Sequence, residues 1–336
     1  MRVISGLRYV GTSLLRALLT IWVVCTFTFF LVKLMPGDPL ETAYESLLMQ
    51  GKTPQQARAL TASIYGFMPQ GNALQQYWNY LTQLAHGNFG TSITAEGISV
   101  SSELASAVSW TVGLVLAGVL VSAALGVVLG VIAAMRRDSR LGSGLTILGS
   151  VLHGIPQYVM ALILVTFLTV KYPVFSTGPV DGALEPGFNG PYIASLIAHA
   201  VLPALAFALS SFGGYLLTMK SSVVSVLGDD FILAAEVRGL SRRKIFAYVA
   251  RNAVLPLFTV LTLSLGFMFG GAVFIENAFN YPGMGQLLIS SVGQRDYPVM
   301  NGAFLLITVA VIIANLLADL LYTAIDPRVR RGAENL

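Results

Sequence analysis

Residues 105–135 read ASAVSWTVGLVLAGVLVSAALGVVLGVIAAM, 31 positions without an Asp, Glu, Lys or Arg. A helix needs about 20 apolar residues to cross the hydrocarbon core of a bilayer. This run alone therefore favours lipid over water as the main solvent. Further uncharged runs occupy 17–32, 141–170, 186–219, 252–275 and 297–318, the first few residues of 186–219 reading as loop. Six such runs predict an all-α, polytopic membrane protein with six transmembrane helices. Composition agrees: 55% of the 336 residues are hydrophobic, mean hydropathy is +0.74, and 11% are charged, against about 25% charged in soluble domains. The single cysteine, Cys25, lies in the first run. It excludes a disulfide framework and a thiolate metal cluster. That first run has the length of a signal peptide, but no small-x-small site follows before Met35-Pro36-Gly37-Asp38-Pro39, so it is expected to be a retained span.

Orientation follows from Lys and Arg placement. With the N-terminus inside, 15 of the 20 basic residues fall on the cytoplasmic side and five (Lys33, Lys52, Arg58, Lys171, Arg295) outside. Both termini are then cytoplasmic. The net charge of +4 is an orientation signal, and no nucleic-acid stripe is visible. The chain divides into 1–34 (N-terminal end and first span), an extracytoplasmic region 35–104, and a five-helix core 105–336 that contains an inner loop at 221–251. The outer region is too long for a mere connection and holds helix-like pieces at 53–63 and 75–85. Outer loops at 171–191 and 276–296 are shorter and rich in Gly and Pro.

Within the second span Gly118, Ser122, Gly126, Gly130 and Ala134 recur every four positions. They lie on one helix face, where backbones can approach closely. The seam so formed is read as packing within the chain, at a subunit interface, or as generic membrane packing. Gly266 and Gly270 repeat the pattern in the fifth span. Pro156 and Pro203 each remove a backbone hydrogen bond inside a span and are expected to kink it.

No Asp, Glu, Lys or Arg lies deep in any span, whereas ion-coupled carriers keep ionisable groups there. His153 and His199 remain, each a few residues before a proline, and are read as bonded to freed backbone, with a proton relay as the alternative. There is no phosphate loop: Gly51-Lys52-Thr53 lacks the required earlier glycine, with Ser46 in its place. Nor is there a nucleophile elbow, a zinc pattern or a paired acidic motif. A membrane enzyme would need a polar catalytic cluster that is not found, and the missing midplane charges speak against a self-sufficient carrier or channel.

The inner loop carries the most information. Asp229 and Asp230 stand where they can cap a helix; Phe231, Ile232, Ala234 and Ala235 follow, then Arg238. Gly239 is placed for a C-terminal cap with positive φ. Ser241 then opens a second helix through Arg251. The pattern is helix, glycine turn, helix, with small alanines suited to docking in another protein's groove; a basic loop lying on anionic lipid is the alternative.

From Leu233 this loop (Leu-Ala-Ala-Glu-Val-Arg-Gly-Leu-Ser, then Arg251-Asn-Ala-Val-Leu-Pro256) resembles that of ABC-importer permeases of the dipeptide/oligopeptide branch. Ala234, Ala235 and Gly239 match the family motif, while Leu233 stands where the motif has a leading Glu. Leu34-Met35-Pro36-Gly37-Asp38-Pro39, Gly87-Asn88-Phe89-Gly90-Thr91-Ser92, His199 to Ala204, Tyr281-Pro282-Gly283-Met284-Gly285, Arg295-Asp296-Tyr297-Pro298 and Asp326-Pro327-Arg328 match in order and spacing; residues 40–80 match poorly. The resemblance implies the type I (MetI-like) importer architecture in a plasma (inner) membrane. It implies a second homologous permease subunit, two ATPase subunits that hydrolyse ATP, and an extracytoplasmic solute-binding protein. The permease would have neither enzymatic activity nor a cofactor of its own. Asp230, Ala234, Ala235, Glu236, Arg238, Gly239 and Leu240 would form the ATPase-coupling loop. Peptides are the implied solute; relatives assigned to nickel, oligosaccharides, opines and glutathione keep other solutes open.

Overall fold

The structure is a computed structural model that describes residues 2–34, 39–65, 72–95 and 98–325. Of the matched motifs, 35–38 and the tail 326–328 lie outside the described residues. Thirteen named α-helices and one π-helical turn account for the described elements. The β-structure among the described residues is an isolated bridge between Thr91 and Ser99.

Among the described residues, four helices are long and apolar enough to cross a membrane. They are α1 (Arg2–Leu34), α5 (Val100–Met135), α8 (Gly190–Leu227) and α13 (Tyr297–Ile325). The run at 141–170 is divided between two helices: α6 (Arg140–His153) and α7 (Gln157–Val165), the latter continuing as a π-helix over Thr166–Lys171, meet at 97°, the geometry of a broken span or a re-entrant loop. Gly154 caps α6, and Pro156, which has no N–H to continue the ladder, stands at the N-cap of α7. Pro203 behaves differently, since α8 runs through it without interruption. The run at 252–275 coincides with α11 (Leu255–Ala278), a helix of 24 residues.

The contacts group the chain into two units, and α5 and α13 each pass from one to the other. The first comprises residues 1–111 and 282–312. It holds α1, α2 (Pro39–Met49), α3 (Pro54–Tyr65), α4 (Ala73–Ala85), the start of α5, α12 (Met284–Gln294) and the start of α13. Two of its helices begin in reciprocal caps: Thr53 with Gln56, and Asn72 with Gln75. Helix α2 and helix α12 are additional to the elements expected from sequence. The core of this unit packs Val100, Leu104 and Ala107 against Met284, Val299 and Ala303.

Helix α4 lies on α1. The Tyr77 hydroxyl is 2.7 Å from that of Thr26, and the Tyr80 hydroxyl is 3.2 Å from that of Thr28. Burial pushes the Tyr80 phenol up to about 12, against the opposing effect of its bond to Thr28. Phe29 meets both rings at 5.4 and 5.5 Å.

The second unit covers 112–281 and 313–336. Its core brings Ala123 and Ala134 of α5 and Tyr215, Met219, Val223 and Val226 of α8 together with α9 (Asp230–Val237), α10 (Arg242–Ala253) and Leu257.

Candidate docking loop and the helices that carry it

The segment expected as an inner loop is mostly helix. Helix α8 continues to Leu227, so the non-helical chain between it and α9 is Gly228 and Asp229. Asp229 occupies the N-cap with extended backbone, although its side chain makes no capping bond; Ser241 does the same for α10. Their capping role is conformational and, for the carboxylate, a matter of charge near the helix start.

The turn after α9 is a Schellman motif. Gly239 has φ +71°, its N–H donates to the Glu236 carbonyl at 2.8 Å, and the Leu240 N–H donates to the Ala235 carbonyl at 3.1 Å. Leu240 thus closes the turn through its backbone. A Cβ on Gly239 would meet no atom within 4 Å. The requirement for glycine there is one of backbone conformation.

Helix α9 has two faces. Ile232 and Ala235, three apart, are buried in the core against α8 and α10. The opposite arc carries Asp230, Leu233, Ala234 and Val237, with Leu233 61% and Val237 82% exposed. Phe231 flanks it, also exposed. Of the two motif alanines, Ala235 is used within the chain and Ala234 points out. Glu236 and Arg238 are both exposed, and neither has an ion-pair partner among the described residues. Three exposed apolar side chains on one eight-residue helix form the kind of surface that marks a contact with another molecule. Composition alone hid this, because Leu233 and Val237 read equally well as core.

Behind the loop, the α5 seam faces α8. A Cβ added to Gly118 would come 2.6 Å from that of Phe207. On Gly126 it would come 2.9 Å from the Phe212 carbonyl oxygen, and on Gly130 2.7 Å from that of Leu216. Ser122 is fully buried and donates to the Val119 carbonyl at 3.2 Å. The helix carrying these residues packs within the chain at all four positions. Gly149 of α6 and Gly213 of α8 make a second close crossing that sequence reading missed. The Lys220 ammonium donates to the Thr146 hydroxyl at 2.8 Å, and the Ser222 hydroxyl donates to the last α10 carbonyl, Ala253, at 2.8 Å. Both tie α8 to the helices around the loop. His199 Nδ1 is 2.8 Å from the Ser195 carbonyl oxygen, a backbone contact, while His153 lies over Gly214.

In the other unit, two motifs that are far apart in sequence meet. Asp296, 1% exposed, caps α13, and its Oδ2 accepts bonds from the Ser92 hydroxyl (2.6 Å), the Ile93 N–H (2.9 Å), and the Thr94 N–H and hydroxyl (3.0 and 2.9 Å). Its Oδ1 receives the Val299 N–H at 3.4 Å. Among the described residues no cation pairs with it, and a buried carboxylate is tolerable when donors surround it in this way. The clasp fixes the segment after Gly90 to the start of the last helix. Both motifs were visible singly in the sequence; nothing there indicated that they touch. Among the described residues no group of three His, Cys, Asp or Glu side chains could hold a metal ion.

Residues 126–331 match the family described as "Binding-protein-dependent transport system inner membrane component". The chain is 33% identical over 308 residues to the oligopeptide transport system permease protein AppB of Bacillus subtilis (strain 168), covering 91% of this chain and 94% of that one. It is 31% identical over 330 residues to the di/tripeptide transport system permease protein DppB of Pseudomonas aeruginosa (strain UCBPP-PA14), covering 93% and 95%. It is 30% identical over 328 residues to the glutathione transport system permease protein GsiC of Salmonella typhimurium (strain LT2), covering 96% and 99%. The uncharged spans, the glycine-closed helical turn and these likenesses lead to one assignment: the chain is a multi-pass inner-membrane permease component and belongs to the binding-protein-dependent transport family.

Proposed function

We propose that this chain forms half of the transmembrane path of an ATP-driven importer for di- or oligopeptides. A second homologous permease subunit supplies the other half, two ATPase subunits supply the energy, and an extracytoplasmic solute-binding protein delivers the solute. In this reading the broken span and α11 complete a set of six crossings, and both termini lie in the cytoplasm with 221–251. Residues 35–104 face the binding protein. The core 105–336 carries the path, and the chain itself holds no cofactor. Peptides are favoured because relatives similar over nearly the whole chain bear oligopeptide, di/tripeptide and glutathione transport names.

The observation that carries the reading is the exposed apolar arc Leu233–Ala234–Val237 on a helix whose other face is locked into the bundle. A groove of an ATPase subunit would bury that arc. Closure of the ATPase pair would then move α9, and through Ile232 and Ala235 the push would pass to α8 and α10. Expression of the chain with its neighbouring gene products tests this. Affinity purification should recover ATPase subunits in equal amounts with the permeases, and the partner binding protein should bind peptides. Recovery of a transport-competent permease alone would overturn the dependence on an ATPase. A binding protein that takes a metal ion or sugar would overturn the substrate.

A further inference from the structure

Helix α4 presents three distinct surfaces. At 100° per residue, Gln76, Tyr77, Tyr80 and Leu84 share the arc that meets α1. Gln75, Asn79, Thr82 and His86 share a second, polar arc. Leu74, Trp78, Leu81 and Ala85 share a third, within about 60°. Leu74 is 64% and Trp78 60% exposed, so that two large apolar side chains form an exposed patch on one arc. No Asp, Glu, Lys or Arg occurs in the helix.

The position of α4 on α1 indicates what covers the third arc. Tyr77 and Tyr80 contact Thr26, Thr28 and Phe29, in the C-terminal part of the uncharged run 17–32. At 1.5 Å per residue, Thr26 lies about 9 Å from Val32, the last residue of that run before Lys33, the depth of the headgroup–acyl boundary. The aromatic surface is also continuous. The exposed Phe30 ring stacks on Tyr77 at 6.4 Å, and Tyr77 meets Trp78 at 6.1 Å. Phe27, Trp22 and Val23 extend the same exposed apolar surface down α1. Trp and Tyr concentrate at this depth because one end of each ring prefers hydrocarbon and the other water.

We propose that α4 is an interfacial helix that lies in the bilayer surface where the first span ends, with Leu74 and Trp78 inserted among lipid and Gln75, Asn79 and Thr82 in water. It anchors the region 35–104 to the membrane at a fixed height. This inference needs only that α1 crosses the bilayer and is independent of the transported solute.

Trp78 is one of three tryptophans, with Trp22 and Trp110. The test uses the assembled full-length complex, carrying Trp22→Phe and Trp110→Phe and with its partner subunits' tryptophans likewise replaced, in phosphatidylcholine vesicles. The vesicles carry nitroxide-labelled lipid, either near the headgroup or near the chain end. The shallow label is expected to lower Trp78 emission about twofold or more, the deep label to act at less than half that strength, and aqueous iodide to have little effect. Strong iodide quenching without lipid quenching would overturn the proposal in favour of a water-facing helix. Insensitivity to all three would overturn it in favour of burial under a protein partner. Nitroxide on Leu74→Cys, in a Cys25→Ala background that leaves Trp78 intact, gives an independent depth: greater collision with oxygen than with a water-soluble nickel complex supports insertion, and the reverse ratio overturns it.

Discussion

Gly239→Val isolates the turn that ends α9. The residue sits at φ +71° with nothing within 4 Å of an added Cβ, so the substitution introduces no clash. Its cost is that of holding an L-residue in the left-handed region, about 1–2 kcal/mol, and a β-branched side chain takes the upper end. Helix α9 has eight residues, too few to persist without tertiary support. About 2 kcal/mol corresponds to roughly a 30-fold rise in the population with the turn opened. Hydrogen exchange at the amides of residues 239 and 240, which donate to Glu236 and Ala235, should accelerate by about that factor. Solute-stimulated ATPase activity and uptake of the assembled complex should fall together. Gly239→Asn should stay near wild type, because asparagine tolerates this conformation. If the valine variant exchanges and couples like wild type, or if the asparagine variant fails equally, the reasoning about the turn is wrong.

Three further outcomes are expected. Leu233→Asp or Val237→Asp should weaken ATPase association tenfold or more, by about 1.4 kcal/mol or above, since a buried unpaired carboxylate is costly in an interface; pull-down yield and the thermal midpoint of the permease alone separate this from misfolding. Asp296→Asn puts an amide among donors that now converge on Oδ2, and should cost about 2–4 kcal/mol locally, read as faster exchange at Ile93 and Thr94 with little change at α9. Gly126→Ala forces a Cβ to 2.9 Å from the Phe212 carbonyl oxygen and should destabilise the α5–α8 crossing by about 1–3 kcal/mol. In contrast, Gly113→Ala, with nothing within 4 Å, should be neutral or stabilising; thermal midpoints in detergent distinguish the two.

Features governed by local physics could be read from the chain. The uncharged run at 105–135 became α5, and the Asp230-to-Gly239 spacing became a helix ended by a left-handed glycine. Both depend on nearest neighbours and solvent preference alone. The Gly118–Gly130 stripe gave the face but not its partner: which helix fills a groove depends on chain topology, which a four-residue period does not encode. The same limit applies to Asp296, whose partners lie about 200 positions away at Ser92, Ile93 and Thr94. Helix α12 was hidden by the Gly-Pro content of 276–296; Gly283 sits at its N-cap and Pro282 precedes it, so those residues mark the helix start. Ala234 and Ala235 show how adjacent identical residues divide between exposure and core once a 100° step separates them.

The central claim is that the exposed face of α9 receives the ATPase. Cys25 is the single cysteine and is buried, so a Cys25→Ala chain can carry one new cysteine at a time. Cross-linking with a short photoactivated thiol reagent in the assembled complex should join the ATPase subunit to Leu233→Cys and Val237→Cys, and not to Ile232→Cys or Ala235→Cys, whose positions face the chain's own core. Cross-links from all four positions, or from none, would contradict the account.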